Sequence, residues 1–253
     1  MNAWRERWAL SPDVTYLNHG SFGASPRVVL EARAKFATEL AAEPVDFLVR
    51  QAPGRLLAVR ERLAALVGAK AGDLILTDNA TAGMNLVARS LPLTPGDEVL
   101  LCDHEYGAVL RLWRKTCARA GATLNVVKLP WPLASPEQVA QSFAAAISAR
   151  TRLVVVSHVT SPTALILPVA EVVRVAHAQG IAVAIDGPHA LAMLPLDLTG
   201  LGADFYTASC HKWLAAPLGT GFLHVAPRWQ HCIDPLITSW GGDNARPERQ
   251  AAG

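Results

Sequence analysis

Lys212 lies in the run Asp204-Phe-Tyr-Thr-Ala-Ser-Cys-His-Lys-Trp-Leu-Ala-Ala-Pro-Leu-Gly-Thr-Gly-Phe-Leu223, between His211 and Trp213. An amine attacks a carbonyl only as its free base, and burial or a neighbouring cation lowers its pKa toward that form. Trp213 and His211 are the residue types that would create such surroundings. A lone lysine on a loop is ordinarily exposed, so the weight of Lys212 comes from its companions upstream. These are Asn79-Ala-Thr81, Asp103-His-Glu-Tyr-Gly-Ala108, His158-Val-Thr-Ser161 and Asp186-Gly-Pro-His189. Together they offer a carboxylate, imidazoles, hydroxyls and an aromatic ring, the groups needed to hold and protonate a small polar ring.

These groups must be positioned by the elements before them. Pro26 opens a helical pattern to about Leu40, and a second helix follows Pro53 and stops at Gly68. Asp73 to Thr77 reads as a short strand leading into a helix that starts within Asp78 to Asn85. Strand and helix then alternate: Asp97–Cys102, a helix through Ala120, Thr123–Leu129, and a helix starting at Ser135-Pro-Glu-Gln138 as a capping box. Arg152–Ser157, a helix over Val169–Gln179, Ile181–Ile185 and Phe205–Ala208 complete the series, with a glycine-rich turn into one more strand. Several of these strands are continuously apolar, which marks a mainly parallel sheet covered on both faces. The expected fold is three-layer α/β/α. In such sheets ligands bind beyond the carboxyl ends of the strands, and each polar phrase above follows a strand.

Collected at one edge, these groups make a kit for pyridoxal phosphate. Lys212 would hold the aldehyde as a Schiff base, and Asp186 would pair with the pyridine nitrogen and keep it protonated. Tyr106 could stack on the ring, while Thr81, Ser209 and the helix N-terminus would take the phosphate. Taken alone, Asn79 and Thr81 read first as simple helix caps.

With Tyr16-Leu-Asn-His-Gly-Ser-Phe-Gly23 at the start, these phrases occur in an order that resembles the class V aminotransferase-fold enzymes. Within that group the chain looks like the isopenicillin-N epimerase-like branch of the cysteine desulfurase-like superfamily, from about residue 14 to 242. The resemblance implies the large domain of the fold type I pyridoxal-phosphate enzymes. It implies Lys212, Asp186 and His189 as catalytic, with His189 approaching the ring hydroxyl. Ala80, Thr81, Ser209 and His211 match phosphate-binding positions, Tyr106 the stacking position, and Asn18 and His19 a stretch bordering the substrate. Thr160 or Ser161 would lie near the ring hydroxyl, with both left open. The implied division is an N-terminal arm over 1–25, a cofactor-binding domain over 26–242 and a loose tail over 243–253. The family's small C-terminal domain, which supplies an arginine for the substrate carboxylate, has no counterpart here. Ser239-Trp-Gly-Gly242 matches a loop that reaches the partner subunit's phosphate site, so a homodimer is expected. An uncovered apolar surface should drive self-association.

The expected activity is Schiff-base chemistry on an amino acid: epimerisation, transamination or carbon–sulfur lysis. An alternative is a non-catalytic protein that keeps the fold and the cofactor. A metal hydrolase built from Asp103, His104, His158, His189 and His211 lacks any spaced ligand motif. Neither GxGxxG nor a P-loop occurs in a strand-to-helix position. Of the 253 residues 51% are hydrophobic and 17% charged, and the net charge of +2 gives no reason to expect nucleic acid or an anionic membrane. The four cysteines form no CxxC pair, the first residues lack a leader's apolar run, and no apolar run is long enough to span a bilayer. A cytoplasmic protein is expected.

Overall fold

The computed structural model describes residues 4–133 and 135–238; Ser239–Gly242 and the tail at 243–253 lie outside them. A seven-stranded sheet runs in the order β1-β7-β6-β5-β4-β2-β3. Its strands are β1 (Leu74–Thr77), β2 (Glu98–Cys102), β3 (Thr123–Val127), β4 (Thr151–Ser157), β5 (Ala182–Asp186), β6 (Phe205–Ser209) and β7 (Gly221–Val225). β3, β2, β4, β5 and β6 are parallel, and β7 runs antiparallel to both β6 and β1. The expected mainly parallel α/β architecture is what forms, and the glycine-rich return after Lys212 produces the one reversed strand.

The helices are α1 (Arg27–Ala42), α2 (Ala52–Val67), α3 (Ala80–Ser90), α4 (Gly107–Ala120), α5 (Pro136–Ala146), α6 (Val169–His177) and the short α7 (Leu198–Leu201). The period-2 pleat sends alternate residues of each strand to opposite faces. Leu153, Val155, Ala182, Ala184 and Phe205 pack with Met84, Val87, Val109 and Trp113 of α3 and α4. Val154, Val156, Val183, Ile185 and Tyr206 pack with Val67, Phe143, Val172 and Ala176 of α2, α5 and α6. Two apolar layers on one sheet explain why β4 and β5 are apolar through their middles, while in β6 the buried Thr207 hydroxyl is satisfied by the carbonyls of Ala80 and Phe222.

One local expectation gains detail and one needs correction. The second helix starts at Ala52 with Pro53 in its first turn and stops at Gly68 as expected, and a π-helical turn at Asp46–Gln51 leads into it. Ser135 takes the extended N-cap conformation ahead of Pro136, but its hydroxyl makes no cap to the backbone. It donates to the Glu137 carboxylate instead and holds that acid's pKa down, a hydrogen bond strengthened by the charge on its acceptor.

The two N-terminal helices differ from the rest. No residue of α1 is buried, and Val28, Phe36, Leu48, Val49, Leu56 and Val59 are exposed along α1, the π-turn and α2.

Candidate active site

The strand alternation that builds the core also aims the site. Ile185 faces the α5/α6 layer, so the next residue, Asp186, faces the α3/α4 side at the carboxyl end of β5. It pairs in register with Thr207 of β6. Thr207 and Ser209 point the same way: the Thr207 hydroxyl donates to the Ala80 carbonyl (3.1 Å) and the Ala80 N–H donates to Ser209 Oγ (2.9 Å). Gly83 allows this approach, since a Cβ there would overlap Thr207 Oγ1. The N-terminus of α3 is therefore seated directly on the end of β6. Asn79 caps it by accepting from the Ala82 N–H at 2.8 Å. The Thr81 N–H has no acceptor among the described residues, and Thr81 is exposed. Asn79 is thus the cap, and Thr81 is left facing outward at a positive helix end.

Asp186 is 4% exposed, and no described residue donates to its carboxylate oxygens. Burial pushes it up to about 6, against the opposing pull of Lys212. Lys212 is half-buried, its pKa lowered by burial and held up in part by Asp186. Its Nζ lies 3.1 Å from His189 Nε2 and 6.0 Å from the ring centre of Tyr106. The sequence flank suggested His211 as the perturbing neighbour. The structure instead brings His189, which is 23 positions away and is itself lowered to about 4, mainly by burial. Burial, not a second cation, depresses the lysine.

His211 turns its Nδ1 toward the Thr220 carbonyl (3.1 Å) beneath the hairpin. Tyr106, 45% exposed, is the N-cap of α4 and sets its ring over the lysine. Thr160 reaches the carboxyl end of β4, but its hydroxyl is engaged by Thr163 (2.7 Å) and by the Leu165 N–H (2.8 Å). Ser161 is exposed. The arm crosses the site: the Gly23 N–H donates to the His211 carbonyl (2.7 Å), and His19 stacks on Trp213 at 6.3 Å. Asn18 is exposed and accepts from the Ser21 N–H (3.2 Å), shaping the turn.

Gly23 is where this crossing is tightest, because a Cβ there would overlap the carbonyl oxygens of His211 and Lys212. Gly23→Ala should lift the arm from the lysine loop. Limited proteolysis should then cut within residues 10–22 at least ~10-fold faster than in the wild type. An unchanged cleavage rate would show that the crossing does not hold the arm down.

Sequence reasoning missed Glu105. It is 3% exposed, accepts from the Ser157 N–H (2.9 Å), the Ser157 hydroxyl (2.6 Å) and the Cys102 thiol (3.3 Å), and is raised to about 7 chiefly by burial. The available signal was only its place just past the end of a buried strand, and the polar neighbours Asp103 and His104 made it look like one more solvent-facing residue. Tyr206 was read only as an apolar strand residue, yet its hydroxyl sits 3.0 Å from His158 Nδ1. No group of three potential ligands among the described residues could hold a metal ion. The histidines of the metal reading face Thr163, Tyr206, Lys212 and Thr220 instead.

Residues 15–249 match the family model of aminotransferase class-V. The chain belongs to the class-V aminotransferase family. The isopenicillin N epimerase of Streptomyces clavuligerus is 44% identical over 236 residues, which are 93% of this chain and 59% of that protein. A putative L-cysteine desulfhydrase 1 of Oryza sativa subsp. japonica is 35% identical over 227 residues, 84% of this chain and 47% of the relative. A solved C-DES mutant with glycine covalently linked to its PLP cofactor superposes with a TM-score of 0.84 at 30% identity, covering 93% of this chain and 63% of that one. The chain therefore spans about half to three-fifths of the length of these class-V relatives.

Proposed function

We propose that this chain is the cofactor-holding part of a pyridoxal-phosphate enzyme acting on an amino acid, with Lys212 as the amine that holds the aldehyde. One observation carries the reading: a half-buried, pKa-lowered amine lies on the same site as a buried carboxylate that has no hydrogen-bond donor. A buried acid without a donor is costly, and a protonated ring nitrogen is the partner that would offset the cost. The remaining residues fit the same ligand. Thr81, Ser209, His211 and the N–H end of α3 make an anion cradle, Tyr106 offers a ring face, and His189 offers a ring nitrogen beside the lysine.

When bound, the cofactor supplies an electron sink for a bond broken at the α-carbon. The chain's own residues do the rest. Asp186 holds a proton at the ring nitrogen, and Lys212 takes up and returns the α-proton as a base working near its lowered pKa. Tyr106 and the arm with Asn18 and His19 shield the reacting face from water. Epimerisation and carbon–sulfur lysis are the reactions favoured by the likeness to the epimerase and the desulfhydrase. Cys102, Cys117 and Cys210 are buried, with thiols pushed up by burial, Cys210 to about 11. Cys232 follows the reversed strand β7 and so sits beyond the opposite end of the sheet. No thiol of the described residues is thereby poised as a nucleophile at this site.

The test is direct. Adding pyridoxal phosphate to the purified chain should produce a visible band that borohydride removes, with mass added at Lys212. A protein that stays colourless at saturating cofactor sinks the reading.

We further propose a homodimer acting in the cytoplasm. All four cysteines are free, as a reducing compartment requires, and no helix among the described residues is long and apolar enough to cross a membrane. The exposed apolar side chains of α1, the π-turn and α2 include Val28 at 69% and Leu48 at 58%. Such a face is unstable in water as a free surface. Light scattering at working concentration should give at least twice the 27.0 kDa chain mass. A monodisperse monomer would contradict the proposal.

A further inference from the structure

The contacts between Trp213, His189 and Lys212 form a chain whose hydrogen positions can be counted. The indole Nε1 of Trp213 lies 3.3 Å from His189 Nδ1, and His189 Nε2 lies 3.1 Å from Lys212 Nζ. An indole nitrogen is only a donor, so His189 Nδ1 must be the acceptor. The imidazole is held neutral by burial, and a neutral ring carries one hydrogen, which must then be on Nε2. That hydrogen points at Lys212, and a donor there can be met only by the lone pair of an uncharged amine.

We propose that Trp213 is a positioning residue: by donating to Nδ1 it fixes His189 as the Nε2–H tautomer and so holds Lys212 as a free base. The arm reinforces this. A Cβ on Gly20 would sit 3.0 Å from Trp213 Cζ2 and 3.2 Å from His189 Cε1, so the backbone there clamps both rings, and His19 stacks on the outer side of the indole. The other groups facing the amine are Asp186, which favours the ammonium form, and the ring of Tyr106. Without the indole donor, His189 is free to move its hydrogen to Nδ1 and turn a lone pair toward Lys212. A lone pair favours the ammonium, and the amine's pKa rises. The tautomer stands on this chain's own atoms; only its value for catalysis rests on the proposed cofactor role.

Two measurements on the cofactor-free 253-residue chain test it. Nitrogen-15 spectra of the histidine rings should show His189 at neutral pH with Nε2 protonated and Nδ1 bare. A ring protonated at Nδ1, or on both nitrogens, overturns the proposal whatever any variant does. In Trp213→Phe, which keeps a ring but loses the donor, a mixture of tautomers should appear. Lys212 should also react with a small amine-directed acylating reagent about tenfold more slowly at neutral pH, its rate profile displaced to higher pH. A Trp213→Phe protein with unchanged ring spectra and unchanged profile overturns it equally. Neither readout involves pyridoxal phosphate, so failure of cofactor binding and failure of the tautomer lock are separate results.

Discussion

Lys212→Ala should abolish the borohydride-sensitive band and, in any assay with an amino-acid substrate, lower turnover by roughly a thousandfold or more. The size of the loss follows from geometry. Among the described residues no other lysine is placed at the site: Lys128 comes just after β3, at the sheet edge, and Lys70 precedes β1 at the opposite edge. The two neighbours of the amine, His189 and Tyr106, cannot replace a primary amine. The fold should survive, because Lys212 contributes one hydrogen bond and belongs to neither apolar layer. A variant that melts like the wild type yet keeps the band would remove Lys212 from the chemistry altogether.

Asp186→Asn should act in opposite directions on activity and on stability. The buried carboxylate has its pKa raised from 3.8 to about 6. Below pH 3.8 the acid is protonated whether the chain is folded or not, and it costs nothing. Between those values the unfolded chain ionises first, binds fewer protons than the folded one, and the native state loses ground as pH rises. Above about 6 the cost is complete, on the order of 3 kcal/mol. An asparagine carries no charge to bury. The cofactor-free variant should therefore gain up to about 3 kcal/mol over wild type at pH 8, and the gain should vanish near pH 4. Turnover should fall by roughly a hundred- to ten-thousandfold, since the amide cannot hold a proton at a ring nitrogen as an anion does. Denaturant titrations at the two pH values read the difference. An equal effect at both would mean that Asp186 is not the ionising group that destabilises the empty site. Stability given up where function needs an ion is a common pattern in active sites.

Much of this was legible in the residues. Continuous apolar runs in β2, β4 and β5 spaced by amphipathic helices announced the parallel sheet, and a polar phrase after each strand pointed to the edge where the candidate site lies. Asp186 and Ser209 could be placed because each ends an apolar strand, where the pleat and the end of the core leave one direction open. The Trp213–His189 contact could not be read, because it joins residues 24 positions apart through side-chain directions that periodicity does not encode. Glu105 was hidden for a related reason: a carboxylate is expected in solvent, and only the register of β2 beside β4 puts Ser157 within its reach. The Ser135 cap could not be judged because the pattern gives residue types but not the direction the hydroxyl takes, which is toward Glu137. The arm's crossing at Gly23 depends on contact between chain positions nearly two hundred apart, which only the folded backbone reveals.

The hairpin that carries Lys212 joins two neighbouring interior strands of the sheet, and it is tied across its base by the Cys210 N–H to the Thr220 carbonyl (2.9 Å) and the Ala216 N–H to the Cys210 carbonyl (3.1 Å). Amide protons that β6 and β7 donate to each other and to β5 can therefore exchange with solvent only when interior strands part, which is close to global opening. The lysine's scaffold has no private way to melt. Deuterium uptake there should be among the slowest in the molecule, while the arm laid across it exchanges early, so that on warming the roof over the amine goes first and its foundation last.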